Sequence, residues 1–303
     1  MKIEYGIELN FEDLIGHEFD LFILAGNHEK RVFTAFDRVS NKNTINKTLL
    51  LCYEPFKCNK KYNVVVKEVV KDYTEIFSLL DIHLGALDKN KISIYIDYSC
   101  MTKAWYYAIM LYISNKKMRF SEVETIFSYT PSKYSEPLEP KHNTEIAPLP
   151  GKYMIPTDKP KALIVCLGYE QNKADGIINH LDPKVYHIFY TKPAFDERFV
   201  TVLEKNNEYI LKNSANITTF KFDDLLFLER ELTSLYYSLR ENYSIIIAPL
   251  GPKPFTFVSM LLSIKFQDID IWRVGSGADI NIYAREPLSP PILILTRIIW
   301  IKN

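Results

Sequence analysis

Apolar runs and polar turns alternate along the chain in a rhythm that predicts strand, loop and helix in repeated order. The clearest instance runs from Ile92 to Ile113. Ile92-Ser-Ile-Tyr-Ile-Asp97 is rich in β-branched and aromatic residues and predicts a buried strand; Tyr98-Ser-Cys-Met-Thr-Lys103 is a polar turn, and the apolar stretch from Ala104 to Ile113 predicts a helix. The layout returns later in the chain, with Tyr243 to Ala248 as strand, Pro249-Leu-Gly-Pro-Lys253 as turn and Pro254 to Ile264 as helix. First-turn N–H groups without intrahelical partners, together with the helix dipole, make each junction a place to hold an anion.

The same pattern orders the rest of the chain. A strand-like Met1 to Leu9 precedes a buried strand, Phe19 to Ala25, which ends in the loop Gly26-Asn-His-Glu-Lys-Arg31 and a helix from Val32 to Val39. A strand from Thr48 to Tyr53, a helix from about Val66 to Leu80 and a strand from Glu124 to Tyr129 complete the first half. Seven of the sixteen prolines then fall between Pro131 and Pro160, a composition that predicts a connector. Beyond it the order restarts: strand Lys161 to Leu167, loop Gly168-Tyr-Glu-Gln-Asn-Lys173, a helix to about His180, and strand Tyr186 to Tyr190. Helices follow over roughly Glu197 to Leu211 and Asp223 to Glu241, and a last strand over Ile269 to Val274.

Short echoes accompany the restart. Tyr53-Glu-Pro-Phe56 is matched by Thr191-Lys-Pro-Ala-Phe195, and Ser135-Glu-Pro-Leu-Glu-Pro140 by Arg285-Glu-Pro-Leu-Ser-Pro290. Four correspondences in one order indicate a tandem duplication of a β/α unit. Continuous apolar strands alternating with helices predict an α/β fold: two tandem Rossmann-like three-layer sandwiches with mainly parallel sheets, related by a pseudo-twofold. The expected boundaries are residues 1–130 for the first repeat, 131–160 for the connector and 161–303 for the second repeat.

Composition narrows the function classes. The formal net charge is zero, so there is no basic footprint for duplex nucleic acid. The four cysteines lack paired Cys-x-x-Cys spacing and the six histidines lack metal-ligand spacing, so neither a metal nor a cofactor is expected. The N-terminus has no signal-peptide core, and the apolar run Pro291 to Ile301 is broken by Thr296-Arg297 and too short to span a bilayer. A soluble cytoplasmic protein is the expectation.

The loops that repeat are the candidate chemistry. The first loop of each half carries a glycine, a carboxylate (Glu29, Glu170) and a cation (Arg31, Lys173), but neither the three-glycine dinucleotide pattern nor a P-loop. No Gly-x-Ser-x-Gly elbow occurs. Asp97 at the end of its strand corresponds to Ala248 in the other half, and the glycine-rich turn Gly275-Ser-Gly-Ala-Asp279 has no counterpart. The two helices after the second loops are apolar nearly all round and need cover on every side. Packing against each other would bring Lys103 and Lys253 to one shared seam.

With these loops laid out, the chain resembles the CARF and CARF-like Rossmann domains of prokaryotic defence proteins. The matching positions are Asn27, Glu29 and Arg31 with Ser99, Thr102 and Lys103 in one half, and Tyr169, Glu170 and Lys173 with Gly251 and Lys253 in the other. The resemblance implies a sensor of a nucleotide or other phosphate-bearing small molecule, acting through a partner protein that supplies the effector. Two alternatives stand beside it. One is a nucleotide-cleaving hydrolase using Glu29 or Glu170 as general base; the other is an assembly subunit with a vestigial pocket, since neither second loop has the Thr-Gly-Gly-Thr-Lys form of that group.

Overall fold

A computed structural model describes residues 1–55, 65–137, 139, 142–154, 156–170, 172–275 and 284–302. The chain begins with β1 (Lys2–Leu9), β2 (Glu18–Phe19), β3 (Leu21–Gly26), α1 (Thr34–Ser40), β4 (Thr44–Ile45), β5 (Thr48–Cys52) and β6 (Val65–Val69). It continues through α2 (Glu75–Gly85), β7 (Lys91–Asp97), α3 (Lys103–Asn115), β8 (Glu122–Tyr129) and β9 (Glu145–Pro148). Next come β10 (Lys161–Cys166), α4 (Lys173–Leu181), β11 (Val185–Thr191), α5 (Glu197–Asn206), α6 (Glu208–Asn213) and β12 (Ile217–Phe220). The last elements are α7 (Leu225–Leu239), β13 (Ser244–Pro249), α8 (Lys253–Lys265), β14 (Ile269–Gly275) and β15 (Ile294–Ile301).

These elements form two compact α/β units, each built on its own sheet. The first holds Met1–Lys133 with Ile280–Asn303, the second Tyr134–Asp279. Sheet order is β1-β15-β8-β7-β3-β5-β6 in the first unit and β12-β11-β10-β13-β14-β9 in the second. Taken from the first of its five parallel strands, each sheet runs third, second, first, fourth, fifth, which is the Rossmann order. The identical order is what a tandem duplication produces. Strands β3, β7, β10 and β13 are buried along nearly their whole length, as parallel strands covered on both faces must be.

A sixth strand lies antiparallel beside the fifth in both sheets, and the domain boundaries follow from it. In the second unit it is β9, on β14, so the Pro-rich segment expected to be a bare connector contributes an edge strand. Pro148 is tolerated there because an edge strand has one side free of ladder bonds. In the first unit it is β15, which lies between β8 and β1. The C-terminal segment therefore belongs to the first unit, not to a second repeat running from 161 to 303. Each echoed Glu-Pro pair, Glu136-Pro137 and Glu286-Pro287, leads into one of these antiparallel strands.

Other departures are local. The expected helix from Val66 to Leu80 is strand β6 followed by α2, because the β-branched Val66 and Val69 suit an extended edge better than a helix turn. The expected single helix from Glu197 to Leu211 is broken into α5 and α6 at Asn207, whose side-chain amide donates to the carbonyls of Leu203 and Gly168. The edge strand β12 carries too little apolar signal to be read from sequence.

The all-round apolar helices find cover inside their own units. Every residue of α3 from Trp105 to Ile113 is buried. Its neighbour is α2: Phe77 stacks on Tyr112 at 6.1 Å, and the Tyr112 hydroxyl donates to Asp81 at 2.7 Å. α8 packs likewise on α7, and Tyr236 stacks at 4.0 Å on Phe266, just past the end of α8. Each of these helices thus has a helical neighbour, α2 or α7, within its own unit.

β15 is locked to its sheet by side chains as well as by the ladder. Trp300 is fully buried, its indole N–H donates to the Thr125 hydroxyl at 2.9 Å, and that hydroxyl donates to the Ile298 carbonyl at 3.2 Å. Replacing Trp300 by Ala removes a large buried ring and strands part of this chain of bonds, which costs about 3–5 kcal/mol. Native-state hydrogen exchange on Trp300→Ala is expected to show lost protection in β8 and β15, with β10 and β13 unchanged; loss spread equally over both sheets would contradict the division into units.

Candidate functional site

In a sheet of this order the loops leaving the first and fourth strands diverge, and the crevice between them is where α/β proteins take ligands. In the first unit those strands are β3 and β7, paired in parallel with Leu24 opposite Asp97. Their exit loops are the two that the sequence singles out, Gly26 to Arg31 and Tyr98 to Thr102.

Arg31 joins them. Its side chain is wholly shielded from solvent, with Nε donating to Glu29 at 2.6 Å, Nη1 to the Thr130 carbonyl at 2.7 Å and Nη2 to the Ser99 carbonyl at 3.0 Å. The guanidinium also lies 5.5 Å from the Tyr129 ring centre. Burial alone would drive it toward the neutral form; Tyr129, Cys100 and the Glu29 carboxylate outweigh that, and its pKa lies above the ordinary arginine value. A cation expected to face a ligand is thus spent on the protein, tying together the exits of β3, β7 and β8.

The neighbouring polar groups complete a continuous network. Asp97 accepts from both the amide and the hydroxyl of Ser99, and the Ser99 hydroxyl oxygen accepts the Thr130 amide at 2.8 Å. Asp97 therefore caps the turn it begins. Asn27 receives the Glu29 amide at 2.9 Å through its side-chain oxygen and donates to the Glu29 carboxylate at 3.3 Å. Of the two ions, Glu29 is the one that reaches solvent: its side chain is 12% exposed and that of Arg31 is 0%.

Lys103 opens α3, with Thr102 at the cap, and both are half-buried. Tyr53, at the exit of β5, reaches over this helix start: its hydroxyl oxygen accepts the Thr102 amide at 2.8 Å, the hydroxyl donates to the Cys100 carbonyl at 2.9 Å, and its ring stacks on Trp105 at 4.0 Å. Burial pushes the Tyr53 phenol well above its ordinary pKa, so it remains a neutral donor. Tyr53 and Thr130 were not legible as site residues, although both stand just beyond the carboxyl end of a parallel strand, where α/β sites are built.

The second unit closes its crevice differently. A Cβ on Gly168 would stand 2.5 Å from the Leu250 carbonyl oxygen, and one on Gly251 2.5 Å from Cys166 Sγ and 2.6 Å from the Leu167 carbonyl oxygen. Both glycines therefore permit the two exit loops to touch through backbone. Glu170 pairs with Lys173 at the start of α4 as a partly exposed ion pair, and the Tyr169 carbonyl accepts from Asn206 at 2.7 Å. Lys253 opens α8, but Pro252 at the cap and Pro254 have no N–H to give an anion. The glycine-rich turn after β14 lies, beyond Gly275, outside the described residues.

Fold and site together define a two-unit α/β protein of Rossmann strand order, with a buried polar cluster at the switch point of the first unit. No protein-family model matches the chain, and no curated protein matches it. Among the described residues no group of three or more His, Cys, Asp or Glu side chains is placed to hold a metal, and no helix is long and apolar enough to cross a membrane.

The ion pair makes a sharp stability prediction. Arg31→Met leaves Glu29 without its cation and is expected to destabilise the first unit by about 3–5 kcal/mol. Adding Glu29→Gln should recover a large part of that loss, which equilibrium urea unfolding of the single and double variants measures. Additive losses would show that the pair is not coupled.

Proposed function

We propose that the first unit is a ligand-binding module for a phosphate-bearing small molecule such as a nucleotide, and that the second unit is a companion copy without that site. The observation that carries this reading is the placement of the buried Arg31 cluster, the partly exposed Glu29 and the Lys103 start of α3 at one switch point. Phosphate oxygens would meet Lys103 and the first-turn amides of α3. In the second unit the prolines flanking Lys253 remove two such amides.

Binding is favoured over hydrolysis by the state of Glu29. A general base must take up a proton, and here that would break the pair with Arg31 and strand a buried cation. As the resemblance to CARF-like domains implies, the signal would pass to a partner protein within a defence system.

Isothermal titration with the four common ribonucleoside triphosphates and with pyrophosphate tests the reading. The wild-type chain is expected to bind, and Lys103→Ala to weaken binding roughly ten- to hundredfold, as loss of a charge-assisted hydrogen bond does. Lys253→Ala should leave affinity unchanged. No binding by any of these compounds, or equal loss from both replacements, overturns it.

A further inference from the structure

We infer that Glu29 is the specificity element of this site, taking hydrogen-bond donors on the part of the ligand that is not phosphate; the inference rests on the reading above. The division of labour between the two ions leads to it. Arg31 cannot reach a ligand, because its side chain is shielded from solvent and its nitrogens point to Glu29, Thr130 and Ser99. Glu29 can, and it is held rigidly by Arg31 on one carboxylate oxygen and by Asn27 on the other.

An ionised carboxylate only accepts hydrogen bonds, and its two oxygens together take about four. It would repel a phosphate and attract O–H or N–H groups. Lys103, at the start of α3, presents the opposite preference close by in the sequence of the loop that Arg31 ties to Glu29 through Ser99. A ligand that satisfies both has two parts, a phosphate at the helix start and a neutral donor at Glu29. Bare phosphate or pyrophosphate supplies only one. Within a nucleotide the donor has two sources, the sugar hydroxyls and the exocyclic amine of the base.

Arg31 is then a positioning residue. With its guanidinium anchored on two carbonyls from other loops, it fixes where the Glu29 carboxylate stands relative to both strand exits. This accounts for a buried charge at a spot where the second unit manages with glycine and backbone contact.

Titration of the full chain with ATP, its deoxyribose analogue, ITP and pyrophosphate separates the cases. ITP lacks the exocyclic amine. The expected result is that ATP binds at least fivefold more tightly than pyrophosphate, and also more tightly than the deoxyribose analogue if hydroxyls are the donors, or than ITP if the amine is. Glu29→Gln, which keeps the shape of the side chain, should erase that preference without weakening pyrophosphate binding, because the replacement removes a charge that repels phosphate. Equal affinity for all four compounds in the wild-type chain overturns the inference and leaves the phosphate reading standing. A preference that survives Glu29→Gln overturns it too, and absence of any binding removes both. The wild-type ranking needs no variant, so a Glu29→Gln chain that failed to fold would not block the test.

Discussion

A fully buried guanidinium holds the strand exits of the first unit together. Arg31 is a permanent cation placed where water does not reach, and burying such a charge costs several kcal/mol unless good partners surround it. Its partners come from three strand exits: Glu29 after β3, the Ser99 carbonyl after β7 and the Thr130 carbonyl after β8. Remove it and each loop loses the contact that sets its path. The Asp97–Ser99–Thr130 bonds and the Tyr53 hydroxyl over the start of α3 elaborate the same arrangement. In a low-dielectric setting such a network is rigid when satisfied and costly when broken.

The duplicated unit solves the same closure problem by other means. Where the first unit spans the gap between exit loops with an arginine, the second lets backbone meet backbone across Gly168 and Gly251. The amides of Asn206 and Asn207 then hold the first loop to α5 and α6. One copy joins its exit loops through a buried arginine, and the other brings them together through backbone while its ion pair, Glu170–Lys173, stays partly exposed. Two sheets of the same order therefore do not imply two equivalent sites.

Much of this was legible in the sequence, and what was not has physical reasons. β7 with α3, and β13 with α8, stand out because a β-branched run changes to an all-round apolar helix across a short polar turn. β6 and β12 did not, since short edge strands half open to water lack the apolar contrast that central strands have. Arg31 was visible as a cation in a candidate loop, but its charge gives no hint that it faces inward; only the carbonyls of Ser99 and Thr130, distant in sequence, decide that. Likewise, nothing local in Ile294 to Ile301 says which sheet it completes, because antiparallel partners are chosen by tertiary context.

That last strand has a consequence for how the chain matures. β1 has no neighbour in its sheet other than β15, and β8 needs β15 on its outer side, so the first unit cannot close its sheet until residues near Ile301 have been made. The described strands of the second unit lie between Glu145 and Gly275 and are available sooner. During synthesis, where domains generally fold as they emerge, the order is reversed for this chain. The unit begun first is finished last, and in the interval β8 offers an open apolar edge of the kind that chaperones cover.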